Sequence, residues 1–157
     1  MNKHNVRIAV AVAAVSLAAL VPAVATAGGG GKTQTLRFFD KPQSLVLTKA
    51  DGTVIDHPPF PEPAAGDTLE VFSVGFTGDH KHHSARFSGS NHLRCVFGTG
   101  EPTCESHFAM GNSMLIIDGN PGTVVGGTGR FLGATGRVLS NKEVEGGSDV
   151  VAKIRLR

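Results

Sequence analysis

A histidine-rich segment is the densest group of side chains with chemical potential in this chain. Residues 79–83 read Asp-His-Lys-His-His, so His80, His82 and His83 lie within four positions of one another. Imidazole suits zinc, copper and nickel. On a strand, two of the three would share a face; in a loop, all could converge. A metal site and a solvated turn both remain open, but Lys81 would repel a cation. We favour the turn and expect no metal or cofactor.

Two cysteines, Cys95 and Cys104, flank a segment whose composition is typical of a hairpin turn, with Gly98, Gly100 and Pro102. Two strands leaving such a turn place residues 95 and 104 opposite each other, at a separation that a disulfide spans. Disulfides are the default in oxidising compartments. We therefore predict a Cys95–Cys104 bridge, and closing so short a loop contributes about 2–3 kcal/mol.

Four polar residues lie on the two strands that flank the cysteines: His92, Arg94, Glu105 and His107. Arg94 and Glu105 are each one residue from a cysteine and could pair across the ladder. The group is either an outer-face ion pair or a polar patch of an interior pocket. A register shift of one residue exchanges these two alternatives, so both stay open.

The first 27 residues have the layout of a secretory signal peptide. Lys3 and Arg7 precede an apolar run, and Ala25-Thr26-Ala27 forms a cleavage site. We expect cleavage after Ala27, a secreted or periplasmic protein, a flexible glycine-rich start over 28–33 and one domain over 34–157. The chain has 15 basic and 13 acidic residues, so removing Lys3 and Arg7 leaves a formal net charge of zero. This balance gives no reason to expect nucleic acid or a membrane as a partner.

Alternating patterns predict strands throughout the remaining chain, and no segment has the period of an amphipathic helix. In residues 68–77, Phe72, Val74 and Phe76 share one face, and both faces are mostly apolar. Such a strand suits a barrel wall that lines a pocket, which makes these three side chains ligand-binding candidates. The other predicted strand regions are 35–39, 44–48, 84–97, 104–118 and 150–157. Residues 56–66 contain four prolines and are predicted to form a loop.

Residues 124–138, Val-Val-Gly-Gly-Thr-Gly-Arg-Phe-Leu-Gly-Ala-Thr-Gly-Arg-Val, contain five glycines and resemble a segment of the dirigent and allene oxide cyclase barrel family. Three further segments are similar to that family: 36–42 (LRFFDKP), 66–71 (GDTLEV) and 92–97 (HLRCVF). Composition alone leaves an all-β sandwich or barrel. The resemblance implies a single small antiparallel β-barrel.

Three classes of function compete, and the resemblance implies the first two of them. Dirigent members bind and orient a small molecule without catalysis, and this interpretation is favoured because no clear acid–base constellation is present. If the protein binds a small molecule in this way, His92 and His107 are further ligand-binding candidates. The alternatives are an isomerase or cyclase, and a secreted structural or metal-associated module. The partners expected are a small apolar ligand and further copies of the chain.

Asp40 and Arg94 are the candidates for a catalytic role. Cyclase members carry an acidic pocket residue near the position of Asp40, where one carboxylate could orient or polarise a substrate. Asp40 could equally cap a turn before Pro42, and we favour the turn. The cyclase resemblance also suggests a second role for Cys95, as a pocket thiol in place of the disulfide.

Overall fold

A computed structural model describes residues 31–119 and 122–157. The predicted signal peptide, residues 1–27, lies outside the described residues, as do residues 28–30 of the predicted flexible start. Thr33 already belongs to the first strand. Within the described ranges no helix is long and apolar enough to cross a membrane.

The described chain is a sheet of nine antiparallel strands and one short 3₁₀ helix. In chain order these are β1 (Thr33–Thr48), β2 (Val54–Ile55), β3 (Thr68–Thr77), β4 (Gly89–Val96), β5 (Thr103–Met110), β6 (Ser113–Asp118), β7 (Thr123–Thr128), η1 (Gly129–Phe131), β8 (Thr135–Val144) and β9 (Gly147–Arg155). β9 pairs with both β8 and β1, which closes eight strands into a barrel, and β2 adds to the end of β1. The predicted all-β antiparallel barrel is confirmed.

The first strand runs through Pro42 without a break, although a turn is predicted before this proline. The segments 35–39 and 44–48 were predicted as two strands, whereas β1 spans both of them. Its register with β3 shifts between Pro42 and Ser44, so Gln43 forms a bulge. A bulge accepts the extra residue and the missing N–H of Pro42 without ending the strand. Asp40 therefore lies inside a continuous strand, and the predicted turn before Pro42 is wrong.

Two other predicted strands have different bounds. The predicted strand 84–97 begins only at Gly89. The predicted region 104–118 is two strands, β5 and β6, which are joined by a turn where Gly111 has a φ of 58°. A glycine adopts this left-handed conformation at little cost, so the chain reverses there and the region divides into two strands.

The barrel encloses one hydrophobic core cluster among the described residues. It contains ten buried residues: Leu36, Phe38, Phe108, Met110, Leu115, Val124, Phe131, Ala134, Ala152 and Ile154. On β9 the predicted alternation is confirmed, because Ala152 and Ile154 are buried whereas Lys153 and Arg155 are exposed. The rings of Phe38 and Phe108 pack at 4.6 Å between centroids. A Cβ on Gly75 would lie 2.7 Å from the Phe108 ring, so this packing requires a residue without a side chain on β3.

Candidate functional site

Asp40 lies on the inner face of the barrel, beside the core. Its Oδ2 atom accepts a 2.7 Å hydrogen bond from Ser73 Oγ on β3. On the neighbouring strands, Ser106 Oγ lies 2.5 Å from Asn91 Oδ1. Four adjacent strands, β1, β3, β4 and β5, therefore contribute one polar side chain each to the lumen. We call Asp40, Ser73, Asn91 and Ser106 the luminal polar group.

The carboxyl group of Asp40 has an unusual environment within the luminal polar group. Burial raises its pKa above the ordinary value, and the nearby Ser73 and Asn91 side chains act in the opposite direction. Its Oδ1 atom is buried and has no hydrogen-bond partner among the described residues. A buried oxygen without a partner is costly, and a ligand with a hydrogen-bond donor would satisfy it. Proton transfer to or from a bound molecule is also within reach of such a group.

An apolar wall lies beside the luminal polar group. The register places Leu45, Val71 and Leu93 in one row across β1, β3 and β4, on the face that points inward, and Ser106 continues this row. These three leucine and valine side chains are only half-buried, unlike the packed core. The combination of apolar walls with a few convergent polar groups is typical of a small-molecule site.

Phe72, Val74 and Phe76, the predicted ligand-binding residues of β3, lie on the outer wall instead. Ser73 is 1% exposed on the inner face, whereas Phe72 is 43% exposed. The inner position at residue 75 must be a glycine because Phe108 occupies that space. The phenylalanine-rich face of β3 consequently points outward, and Phe76 packs there against Phe39 and His83.

His92, Arg94 and His107 are also outside the lumen. His92 faces His107 across the β4–β5 ladder, and Arg94 faces Glu105. The Nε2 atoms of His92 and His107 lie 3.5 Å from Glu70 and 2.9 Å from Glu105, respectively. Of the two open alternatives, an outer-face ion pair and a polar patch of an interior pocket, the structure has the outer-face arrangement. Exposed pairs of this kind contribute little to stability.

The predicted disulfide is confirmed. Cys95 and Cys104 are directly paired on β4 and β5, with Cα atoms 4.0 Å apart and an S–S bond of 2.07 Å. Both residues are buried. Cys95 therefore has no free thiol, and its alternative role as a pocket nucleophile or ligand is excluded.

The three histidines of the 79–83 segment serve different contacts. His80 Nδ1 lies 2.6 Å from Asp149 Oδ2, and the His83 ring packs between Phe39 and Phe76. His82 is exposed, with Nδ1 3.7 Å from Asp79. In the ranges that the structure describes, no three His, Cys, Asp or Glu residues form a group that could hold a metal ion. The segment is a turn bridged by Gly78 and His83.

Sequence reasoning missed Ser73, Asn91 and Ser106. Ser73 is a hydroxyl in the middle of an apolar strand face, between Val71 and Gly75, and this was the available signal for an inward polar position. Asn91 and Ser106 had no such signal, because their meeting depends on the pairing of β4 with β5.

Comparisons with known proteins agree on the fold. No protein-family model and no curated protein matches the chain. The solved structures that match include a pyocyanin demethylase, with a TM-score of 0.56 and 13% identity over 79% of this chain and 100% of that one. They also include a pterocarpan synthase dirigent protein, with a TM-score of 0.48 and 17% identity over 82% of this chain and 91% of that one. The likeness to the pyocyanin demethylase agrees with the closed antiparallel barrel that the strand pairings show.

Proposed function

We propose that the barrel binds and orients a small apolar molecule that carries one hydrogen-bond donor. The observation that supports this is the unpartnered Oδ1 atom of Asp40, buried beside the half-exposed wall of Leu45, Val71 and Leu93. The apolar body of the ligand would cover these side chains, and its donor would satisfy the carboxyl oxygen. A dirigent-like fold is compatible with a binding or orienting role, although one fold hosts many functions.

Naphthol and naphthalene test this proposal as a matched pair of fluorescent probes. They share an apolar ring system, but only naphthol has a hydroxyl donor. We expect naphthol to bind more tightly, and the Asp40→Leu variant to lose about tenfold in naphthol affinity, which corresponds to one hydrogen bond to a polar partner. Naphthalene affinity is expected to stay the same or rise.

Asp118→Leu is the matched control, because Asp118 is an exposed carboxylate on the outer end of β6. It should leave the binding of both probes unchanged. If neither probe binds saturably, or if both variants weaken naphthol equally, the luminal site is not supported. Circular dichroism of each variant establishes that the barrel is intact.

An isomerase or cyclase activity is the second candidate, and the raised pKa of Asp40 favours it. A carboxyl group with a raised pKa holds its proton closer to neutral pH and can serve as a general acid. Turnover of an epoxide or polyene by the purified protein distinguishes this candidate from binding alone. Asp40→Asn should abolish such turnover while retaining the binding of naphthalene.

A structural module is the third candidate, since phenylalanine and methionine side chains belong to the buried core. If the module were metal-associated through its histidine turn, its thermal stability would depend on added zinc or nickel. Unchanged melting with a chelator and with either metal, together with saturable naphthol binding, would decide in favour of the luminal ligand.

We infer that the protein is exported, because a Cys95–Cys104 disulfide is compatible with an oxidising compartment. The predicted signal peptide supports the same inference. The intact mass of protein recovered outside the cytoplasm should correspond to a chain that begins at Gly28. Recovery of the full-length chain in the cytoplasm would contradict this inference.

A further inference from the structure

The outer wall formed by β1, β8 and β9 carries a polar cleft of about 360 Å³, which is separate from the lumen. The turn over residues 78–83 forms one side of it. Its polar lining consists of Arg37, Asp79, His80, Lys81, Ser140, Lys142 and Asp149. We call this feature the basic cleft.

Three cations from three different elements meet at the basic cleft. Arg37 comes from β1, Lys142 from β8 and Lys81 from the turn. Their side chains are exposed, and none of them makes an ion pair within the described ranges. Like charges that share a depression repel one another, so a bound anion would lower the free energy of this arrangement.

Both carboxylates of the basic cleft are already engaged in hydrogen bonds within the protein. Asp149 accepts a 2.7 Å bond from the backbone N–H of His80 and contacts the His80 ring at 2.6 Å. Asp79 accepts 2.9 Å and 2.8 Å bonds from the backbone N–H groups of Lys81 and His82. Neither carboxylate forms an ion pair with one of the three cations, although Asp149 lies opposite Lys142 in the β8–β9 ladder. The donor groups of the three cations therefore remain available to a ligand.

We propose that the basic cleft binds a small dianionic oxyanion of the phosphate class. The guanidinium group of Arg37 presents parallel N–H donors that match two oxygens of such a group. Lys81 and Lys142 add point charges. Asp149 fixes the ring of His80 through Nδ1, which leaves Nε2 as its remaining hydrogen-bonding atom. Because Asp79 and Asp149 also line the cleft beside the three cations, its formal charge is +1. The donor groups of Arg37, Lys81 and Lys142, rather than a large excess of charge, would hold the oxyanion.

A neighbouring cleft on the same wall supplies an internal control. It has a volume of about 330 Å³ and is lined by Arg137, Lys153 and Arg155 among others. The turn over residues 78–83 does not contribute to it, and it contains no histidine. Lys153→Gln therefore removes one exposed positive charge from this wall without touching the basic cleft.

The test is a titration of inorganic phosphate and of phenyl phosphate at constant ionic strength, followed by calorimetry. We expect saturable binding to the full protein. Arg37→Gln and Lys142→Gln should each weaken it by about tenfold, the effect of removing one charge-assisted hydrogen bond. Lys153→Gln should change the affinity by less than about twofold, because its charge lies outside the cleft and is screened.

Each result bears on the proposal. Tighter binding of phenyl phosphate identifies an organic phosphate ester as the ligand class, and equal or tighter binding of inorganic phosphate identifies the free ion. Absence of saturable binding overturns the site, as does an equal loss in the Lys153→Gln variant, which would indicate only a diffuse positive field. Naphthol binding in the presence of saturating phosphate reports on the lumen separately, so the two proposals fail independently.

Discussion

Ser73 on β3 donates a 2.7 Å hydrogen bond to Asp40 on β1, inside the barrel and 33 positions away in sequence. Burial raises the pKa of Asp40 above 3.8, its ordinary value. The folded protein therefore holds a proton that the unfolded chain has lost in the pH range between the two values. The stability from this group is complete below the ordinary pKa and is lost as the pH rises through the raised pKa.

Asp40→Asn should remove this pH dependence. At neutral pH the variant is expected to be more stable than the parent by about 1 kcal/mol, because it no longer buries a charge with an unsatisfied oxygen. The gain should vanish at pH values below the ordinary pKa. Urea unfolding over a range of pH measures it, with Asp118→Asn as the exposed control. A loss of stability at every pH would contradict the assignment.

The Cys95–Cys104 bridge closes a loop with a sequence separation of 9. The double variant Cys95→Ser, Cys104→Ser should fold but lose about 2–3 kcal/mol of stability, because the bridge restricts the unfolded chain. Reduction of the parent protein should lower its free energy of unfolding by the same amount, and its melting temperature should fall accordingly. Intact mass of the exported protein should lie two hydrogens below the reduced value; a free, alkylatable thiol would contradict the bridge.

Gly75 and Gly126 form a matched pair for testing how tightly the lumen is packed. A Cβ at Gly75 would lie 2.7 Å from the ring of Phe108, whereas one at Gly126 meets nothing within 4 Å. Gly75→Ala should therefore destabilise the barrel by about 1–3 kcal/mol through overpacking. Gly126→Ala should be neutral or stabilising by up to about 1 kcal/mol, since it restricts the unfolded chain.

A double-mutant cycle checks that the clash at Gly75 is the cause. In the Phe108→Leu background, Gly75→Ala should cost less than it does in the parent, because the smaller side chain leaves room. Additive losses would indicate that the alanine acts through the backbone of β3 instead.

Asp67 holds the proline-rich loop of residues 56–66 against one end of the barrel. Its carboxylate binds Lys49 Nζ and accepts backbone hydrogen bonds from Ala50 at 3.0 Å and Ala64 at 2.7 Å. The Ala64 bond, followed by the Lys49 contact, holds the pKa of Asp67 below its ordinary value. Its contribution to stability is therefore present above that value and is lost as the pH falls through the lowered pKa, opposite in sign to that of Asp40.

Asp67→Ala should loosen the loop without unfolding the barrel. Hydrogen exchange of residues 49–66 is expected to become faster by at least about tenfold, because the carboxylate is the acceptor for two amides in that segment. Asp56→Ala, which removes an exposed carboxylate in the same region, is the control and should leave the exchange unchanged. Equal protection in both variants would mean that packing alone holds the loop.

Local patterns in the sequence were sufficient for several features. The alternation of residues 150–157 predicts an amphipathic strand, and Ala152 and Ile154 are indeed buried. The turn composition between Cys95 and Cys104 predicts their pairing. Both follow from the two-residue period of a strand and from short-range chain reversal, which depend only on neighbouring residues.

The faces of β3 could not be assigned from the sequence. Both faces of residues 68–77 are apolar, and the larger side chains, Phe72 and Phe76, were natural candidates for the interior. The inner face instead carries Ser73 and Gly75, because the rings of Phe38 on β1 and Phe108 on β5 occupy the space beside Gly75. The continuity of β1 through Pro42 likewise depends on its partner β3, whose register accommodates a bulge.

The sequence by itself determined an all-β chain, a disulfide hairpin and a barrel signature, since each is a property of residues close together in the chain. The tertiary structure alone decided which residues share a site. Asp40, Ser73, Asn91 and Ser106 meet because four strands are adjacent in the sheet. Arg37, Lys81 and Lys142 meet because closure of the barrel brings β8 next to β9 and β9 next to β1. A formal net charge near zero cannot reveal such a cleft, because composition counts charges and only the fold gives their positions.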